Sequence, residues 1–112
     1  MSAFLFLYRI ESRSASPEEM QRQMTKWMAW MQDLSEKGHL KDAGQPLDLT
    51  GKVVKGVDQA TVLDGPYAET KDLVCGFSII EAQDIDQAAE LAAGCPILCG
   101  GGMVEVRPVI KM

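Results

Sequence analysis

The densest group of reactive side chains in this sequence lies in residues 64–72, which read Asp-Gly-Pro-Tyr-Ala-Glu-Thr-Lys-Asp. Carboxylates, a lysine and a tyrosine in one short segment could transfer protons or bind a polar ligand. Gly65 can adopt a positive φ, whereas Pro66 fixes its own φ and disfavours helical backbone at the residue before it. The segment is therefore predicted to form a corner of defined shape between two β-strands.

Two residues are candidate catalytic groups. Asp64 is the candidate general base, because a carboxylate surrounded by apolar side chains can abstract a proton near neutral pH. His39 is the second candidate, since imidazole exchanges a proton near physiological pH. Tyr67, Glu69 and Lys71 are candidate ligand contacts beside Asp64. Each has a structural alternative, because such residues often shape a turn or follow a helix end exposed to water.

No metal ion or other cofactor is expected. His39 is the only histidine, and Cys95 and Cys99 have no second pair of cysteines or histidines to complete a tetrahedral site. Together with Cys75 the cysteine count is odd, which indicates reduced thiols rather than a disulfide framework. Pairing of Cys95 with Cys99 on oxidation stays open.

Composition and charge indicate one soluble domain, residues 1–112, with 46% hydrophobic and 24% charged residues. The net charge is −5 and the lysines and arginines are scattered, so no nucleic-acid partner is expected. Residues 3–8 are apolar, but no basic residue precedes them and they are too few to span a bilayer. We therefore predict a cytoplasmic protein without membrane association.

Hydrophobic periodicity and turn signals predict two helices among several strands. Ser16 caps the first helix, Pro17 begins it and Gly38 ends it, and Asp84 caps a second helix over about residues 85–94. Strands are predicted at residues 3–10, 39–43, 47–49, 53–56, 60–63, 73–82 and 103–110.

One apolar stripe runs along the first helix and is predicted to pack against a sheet. Its central members are Met20, Met24, Trp27, Met31 and Leu34. Trp30 lies at the margin of this stripe, where it could contact a ligand at a pocket rim or a second subunit.

The order of elements predicts an α+β fold of the ferredoxin-like, split βαβ type, with a β insertion between its second and third strands. Both helices would cover one face of an antiparallel sheet and leave the other face bare. Residues 3–10 and 73–82 carry apolar side chains on both faces, and soluble monomers rarely expose large apolar patches. A homodimer whose bare faces meet, a dimeric α+β barrel, is therefore predicted.

The interior of that barrel is the predicted small-molecule site, because a mostly apolar cavity with a few polar groups is the usual form of such a site. Glu81 and Arg107 are candidate ligand contacts, together with Glu105 and with Tyr8 or Arg9. The alternative is a cross-strand charge cluster without a ligand. The predicted function is thus ligand binding, and the alternative is a cofactor-free enzyme that uses Asp64 as its base.

Four segments carry a recognisable pattern: Val62-Leu-Asp-Gly-Pro-Tyr-Ala-Glu-Thr-Lys71, Gly76-Phe77, Ile80-Glu-Ala82 and Gly101-Gly-Met-Val-Glu-Val-Arg-Pro108. Together they resemble the DGPF group of YCII-related proteins. The resemblance implies a bacterial protein, a dimeric α+β barrel and an accessory role beside extracytoplasmic-function sigma factors. Some YCII relatives resemble enzymes that carry a histidine on the first helix near an acid. Residues 17–37 contain no histidine, so that histidine–acid reaction is not expected.

Overall fold

The computed structural model describes residues 1–11, 16–66 and 72–112. Within these residues the chain forms an α+β fold with two α-helices, one short 3-10 helix and six strands. The elements are β1 (Ser2–Ile10), α1 (Pro17–Glu36), β2 (Leu40–Pro46), β3 (Lys52–Lys55), β4 (Thr61–Asp64), β5 (Leu73–Ala82), α2 (Ile85–Ala92), the 3-10 helix (Pro96–Gly100) and β6 (Met103–Pro108).

The main sheet confirms the predicted ferredoxin-like arrangement. Its strand order is β2-β5-β1-β6, and every neighbouring pair is antiparallel. Strands β3 and β4 pair only with each other in the described chain and form the predicted β insertion as a separate hairpin. The two longest strands, β1 and β5, therefore lie side by side at the centre of the main sheet.

Both helices begin as the sequence predicts. The Ser16 hydroxyl accepts a hydrogen bond from the backbone N–H of Glu19, and Pro17 occupies the first helical position. Asp84 accepts in the same way from the backbone N–H of Gln87. Each cap satisfies a backbone donor that the first helical turn leaves without an intrahelical partner.

The core lies between the helices and one face of the sheet. Phe4, Phe6 and Tyr8 alternate along β1 and are all buried, and Ile80 on β5 and Leu34 on α1 are buried with them. Small side chains complete this core on α2, because Ala88 and Ala92 allow that helix to approach the sheet closely.

The predicted core stripe of α1 is only half correct. Trp27 and Met31 pack against the core and Leu34 is buried, but the side chains of Met20 and Met24 are 57% and 64% exposed. At 20 residues the helix is about 30 Å long, and all residues of its N-terminal half, 17–26, are exposed. No helix in the described part of the chain is long and apolar enough to cross a membrane.

Strand β2 differs from its prediction, because it continues through residues 44–46, where a turn was expected. Gly44 adopts a φ of +73°, and the pairing of β2 with β5 shifts register between Asp42 and Gln45. The left-handed backbone of Gly44 therefore produces an irregularity within β2 and does not end the strand. The predicted strand at 47–49 is absent, and Asp48 instead accepts a hydrogen bond from Thr50 N in a local turn.

A second register shift changes the surroundings of Cys75. On β5, Gly76 pairs with Tyr8 while Val74 pairs with Arg9, so Cys75 is the extra residue of a bulge. Simple alternation predicted Cys75 on the same face as Phe77, but Cys75 is only 9% exposed and belongs to the core cluster.

A buried hydrogen-bond chain fastens β2 to the core. The Tyr8 hydroxyl donates to Ser78 Oγ at 2.8 Å, and Ser78 Oγ donates to the backbone oxygen of Ala43 at 2.7 Å. Burial raises the pKa of Tyr8 above its ordinary value, although the hydrogen bond to Ser78 opposes this shift. The phenol is therefore a neutral structural donor at physiological pH.

Replacing Ser78 with alanine should lower the free energy of unfolding by about 1–3 kcal/mol, because the buried Tyr8 hydroxyl loses its acceptor. The exposed Ser35→Ala variant is the control and should change little. Urea unfolding at equal protein concentration measures both. The double variant Tyr8→Phe with Ser78→Ala should cost less than the sum of the single variants, and strict additivity would contradict the hydrogen-bond chain.

Candidate functional site

The face of the main sheet that the helices leave uncovered carries an apolar patch. Leu5 and Leu7 alternate with the buried aromatic residues of β1, and their partners in the β1–β5 register are Ile79 and Phe77. All four side chains are half-buried in the single chain. We call these four residues the open-face patch.

Three charged residues border the open-face patch: Glu105 and Arg107 on β6, and Arg9 on β1. Arg9 Nε donates to Glu105 Oε1 at 3.0 Å, and Arg107 Nη1 donates to Glu105 Oε2 at 3.2 Å. The hydrogen bond from Arg107, followed by that from Arg9, holds the pKa of Glu105 below its usual range, although desolvation opposes the shift. Glu105 is therefore a carboxylate at neutral pH, bridging two guanidinium groups.

The sheet register brings this triad onto the open face. Leu5 pairs with Arg107 and Leu7 pairs with Glu105 across the β1–β6 ladder, and paired residues share a face of an antiparallel sheet. Glu81, which pairs with Ala3, lies on this same face at the far side of the patch. Arg107 and Glu81, both predicted ligand contacts, thus share one surface.

Trp30 lies on the other side of the sheet. Its ring stacks on Phe6 with 6.3 Å between centroids and meets Tyr8 and Trp27 edge-on. The side chain therefore packs more centrally than its place at the stripe margin predicted. A ligand on the open face would not reach it without crossing the sheet.

Asp64 ends the β3–β4 hairpin. Its carboxylate lies 3.0 Å from Lys52 Nζ, and 95% of its side chain is exposed in the single chain. Gly65 adopts a φ of +84°, as predicted for this corner. The proposed ligand contacts Tyr67, Glu69 and Lys71 lie outside the described residues.

His39 follows α1 and is fixed against β5. Its Nδ1 lies 2.8 Å from the backbone oxygen of Glu81, and the Glu81 N–H donates to the His39 oxygen at 2.7 Å. A carbonyl oxygen can only accept, so Nδ1 carries the hydrogen of this bond. The two candidate catalytic residues thus have different partners, since Asp64 is paired with Lys52.

The cysteines and acids lie apart in the described part of the chain. No three side chains of His, Cys, Asp or Glu group closely enough there to hold a metal ion. Cys95 is buried, and burial raises the pKa of its thiol to about 12, so it is protonated at neutral pH. Cys99 is exposed.

Comparison with known protein families gives a match over nearly the whole chain. The profile of the YCII-related domain matches residues 3–112. The chain belongs to the YCII-related family. One similar relative, from Rhizobium meliloti (strain 1021), is an uncharacterized protein with 30% identity over 97 residues, covering 84% of this chain and 78% of the relative.

In this YCII-related chain, sequence reasoning found parts of the open face and missed a contact on the core side of the sheet. Glu105 and Arg107 were recognised from alternation along β6, and Arg9 only as one of two options. The serine acceptor for Tyr8 was missed, although a lone hydroxyl at Ser78 within an apolar strand was a signal that a buried partner exists.

An Asp64→Asn variant should change the free energy of unfolding by less than about 1 kcal/mol, because the ion pair with Lys52 is exposed. Thermal unfolding measures this change, and Lys52→Gln is the matched control that removes the same pair. A substantial loss of stability in Asp64→Asn alone would show that the carboxylate supports the corner. Loss of a discovered turnover with unchanged stability would support the general-base role.

Proposed function

We propose that this YCII-related protein is a homodimer whose two main sheets face each other, forming an α+β barrel that binds a small molecule between them. The observation that carries the proposal is the uncovered open-face patch of Leu5, Leu7, Phe77 and Ile79. A contiguous apolar surface on a sheet is stabilised when a second sheet removes it from water.

The shape of the chain supports this arrangement. Its principal extents are 47 × 42 × 19 Å, and the shortest extent corresponds to about one sheet layer and one helix layer. The helices fill the layer on the core side. The other side of the sheet is available for a second copy, and a stable interface there should bury roughly 1,200 Å² or more in total.

Closure by a second sheet would also create the ligand cavity. A groove of about 200 Å³ in the described chain lies between α2 and β6. It is lined by Ala89, Ala92, Ala93, Leu98, Val104 and Val106. These side chains are apolar and offer no charged group to orient a ligand, whereas the open face combines apolar side chains with Arg9, Glu105 and Arg107. That combination is typical of ligand sites.

The wild-type protein should scatter light with twice the 12.3 kDa mass of the chain at low micromolar concentration. Removal of the apolar face from water favours association at that concentration. A mass near that of the single chain would contradict the dimer and, with it, the barrel cavity.

The accessory role in a sigma-factor system stays a prediction, because it depends on the resemblance of residues 62–71 and not on a surface described above. The cytoplasmic location also stays a prediction. Gel filtration of the protein mixed with candidate sigma factors tests the first, and a co-eluting complex is the expected result.

A further inference from the structure

We propose that the barrel cavity selects organic anions that have an apolar body, with Arg9 and Arg107 binding the anionic group; this inference rests on the dimeric barrel proposed above. The ligand class is defined by its chemistry: a carboxylate or sulfonate joined to a ring or hydrocarbon. Three properties of the open face lead to this class.

The first property is a local excess of positive charge beside β6, since Glu81 lies across the patch on β5. Two guanidinium groups share the single carboxylate of Glu105. Among contacts between described residues, Arg9 uses only Nε and Arg107 uses only Nη1 as side-chain donors. A guanidinium carries five N–H donors in a planar fork that matches two acidic oxygens. Both arginines therefore retain donors for a further anion.

The second property is the apolar surface next to these donors. Leu5 is the register partner of Arg107, and Leu7 is the partner of Glu105 on the same face. Ile79 and Phe77 extend the apolar surface across β5. A ligand whose acidic group reaches the guanidinium groups would lay its apolar body on this patch.

The third property is the change in surroundings that dimerisation brings. In the single chain the side chains of Arg9 and Arg107 are 28% and 65% exposed. A facing sheet would remove water from them, and an unbalanced buried cation is costly unless an anion accompanies it. An anionic ligand supplies that charge, and an acidic side chain of the partner subunit is the competing source.

A matched pair of fluorescent probes distinguishes binding of the anionic group from binding of the apolar ring system. The anionic probe is 1-anilinonaphthalene-8-sulfonate, and N-phenyl-1-naphthylamine is the same ring system without the sulfonate. Replacing Arg107 with glutamine in the full chain should weaken binding of the anionic probe ~10-fold, since charge-assisted hydrogen bonds are lost. Binding of the neutral probe should stay the same.

Two further variants sharpen the test. Glu105→Gln should tighten binding of the anionic probe several-fold, because the competing carboxylate is removed and both guanidinium groups are released. Arg22→Gln removes an exposed arginine of α1 and is the control for net charge. It should leave the binding of both probes unchanged.

The outcomes distinguish this inference from the proposed function. If the neutral probe binds but Arg107→Gln leaves binding of the anionic probe unchanged, the anion site is wrong while the cavity stands. If neither probe binds the wild-type dimer, both are wrong. If Arg107→Gln instead yields single chains by light scattering, Arg107 pairs with an acidic group of the partner subunit and the anion site is overturned.

Discussion

A Leu7→Asp variant should scatter light as a single chain of 12.3 kDa under conditions in which the wild type is a dimer. Leu7 lies in the middle of the open-face patch, with Phe77 on one side and Glu105 on the other in the sheet register. A carboxylate at this position would be buried at the interface next to an existing carboxylate. The variant removes apolar contact and adds like-charge repulsion at once.

Symmetry doubles this effect, because both subunits carry the substitution. Burying an uncompensated charge costs several kcal/mol per ion, so the two together should cost at least about 4 kcal/mol of association free energy. That amount weakens the dimer at least ~1,000-fold. Light scattering over a concentration series measures the change directly.

The control is Val57→Asp, which introduces the same charge on a side chain that is 98% exposed on the hairpin side of the molecule. This variant should remain dimeric. Circular dichroism should show native secondary structure in both variants, since Leu7 is already partly exposed to water in the single chain. A fully dimeric Leu7→Asp protein would contradict an interface through the open face.

A Gly44→Ala variant should lose at least about 3 kcal/mol of unfolding free energy, because a steric clash adds to a left-handed backbone penalty of about 1–2 kcal/mol. A Cβ at this position would lie 1.7 Å from the backbone oxygen of Phe77. That oxygen belongs to the central strand β5 and cannot move aside without separating β2 from the sheet. Because Phe77 is part of the open-face patch, the substitution should also weaken the dimer.

The matched control is Gly38→Ala. Gly38 has a similar φ of +79°, but a Cβ there would meet no atom within 4 Å. The control therefore isolates the backbone penalty from the clash. Urea unfolding at equal protein concentrations compares the two variants. Equal losses of unfolding free energy would show that the clash of the added Cβ with the Phe77 oxygen does not contribute to the loss.

Local sequence signals predicted the scaffold well, because they act within a few residues. Ser16 and Asp84 cap their helices through bonds to residues three positions later, and such spacing is visible in the sequence. The alternation in residues 73–82 likewise defined β5 with its observed limits. These signals placed the helices and strands in the order of the ferredoxin-like fold.

The remaining features depend on contacts between distant residues. The bulge that turns Cys75 into the core is a property of the pairing between β1 and β5, so alternation within one strand could not show it. Likewise, helix periodicity gave Met20 and Met24 the same pattern as the buried Leu34. Their exposure depends on which part of α1 packs against other elements, and periodicity within the helix does not show this.

The candidate site likewise has some features that local sequence shows and others that depend on contacts between distant residues. Glu105 and Arg107 were recognisable because they alternate along one strand, whereas the bond between Arg9 and Glu105 joins residues 96 positions apart. The sequence emphasised Asp64 because reactive residues cluster around it. In the single chain, however, its carboxylate is at the exposed end of a hairpin, and charge and apolar surface converge on the open face instead.

The central claim is that two copies of the chain meet through their open faces. An isotope-filtered nuclear Overhauser experiment on a dimer mixed from ¹³C-labelled and unlabelled chains tests it most directly. We predict intersubunit contacts from the methyl groups of Leu5, Leu7 and Ile79. Intersubunit contacts confined to Met24 of α1 or Val54 of the hairpin would contradict it.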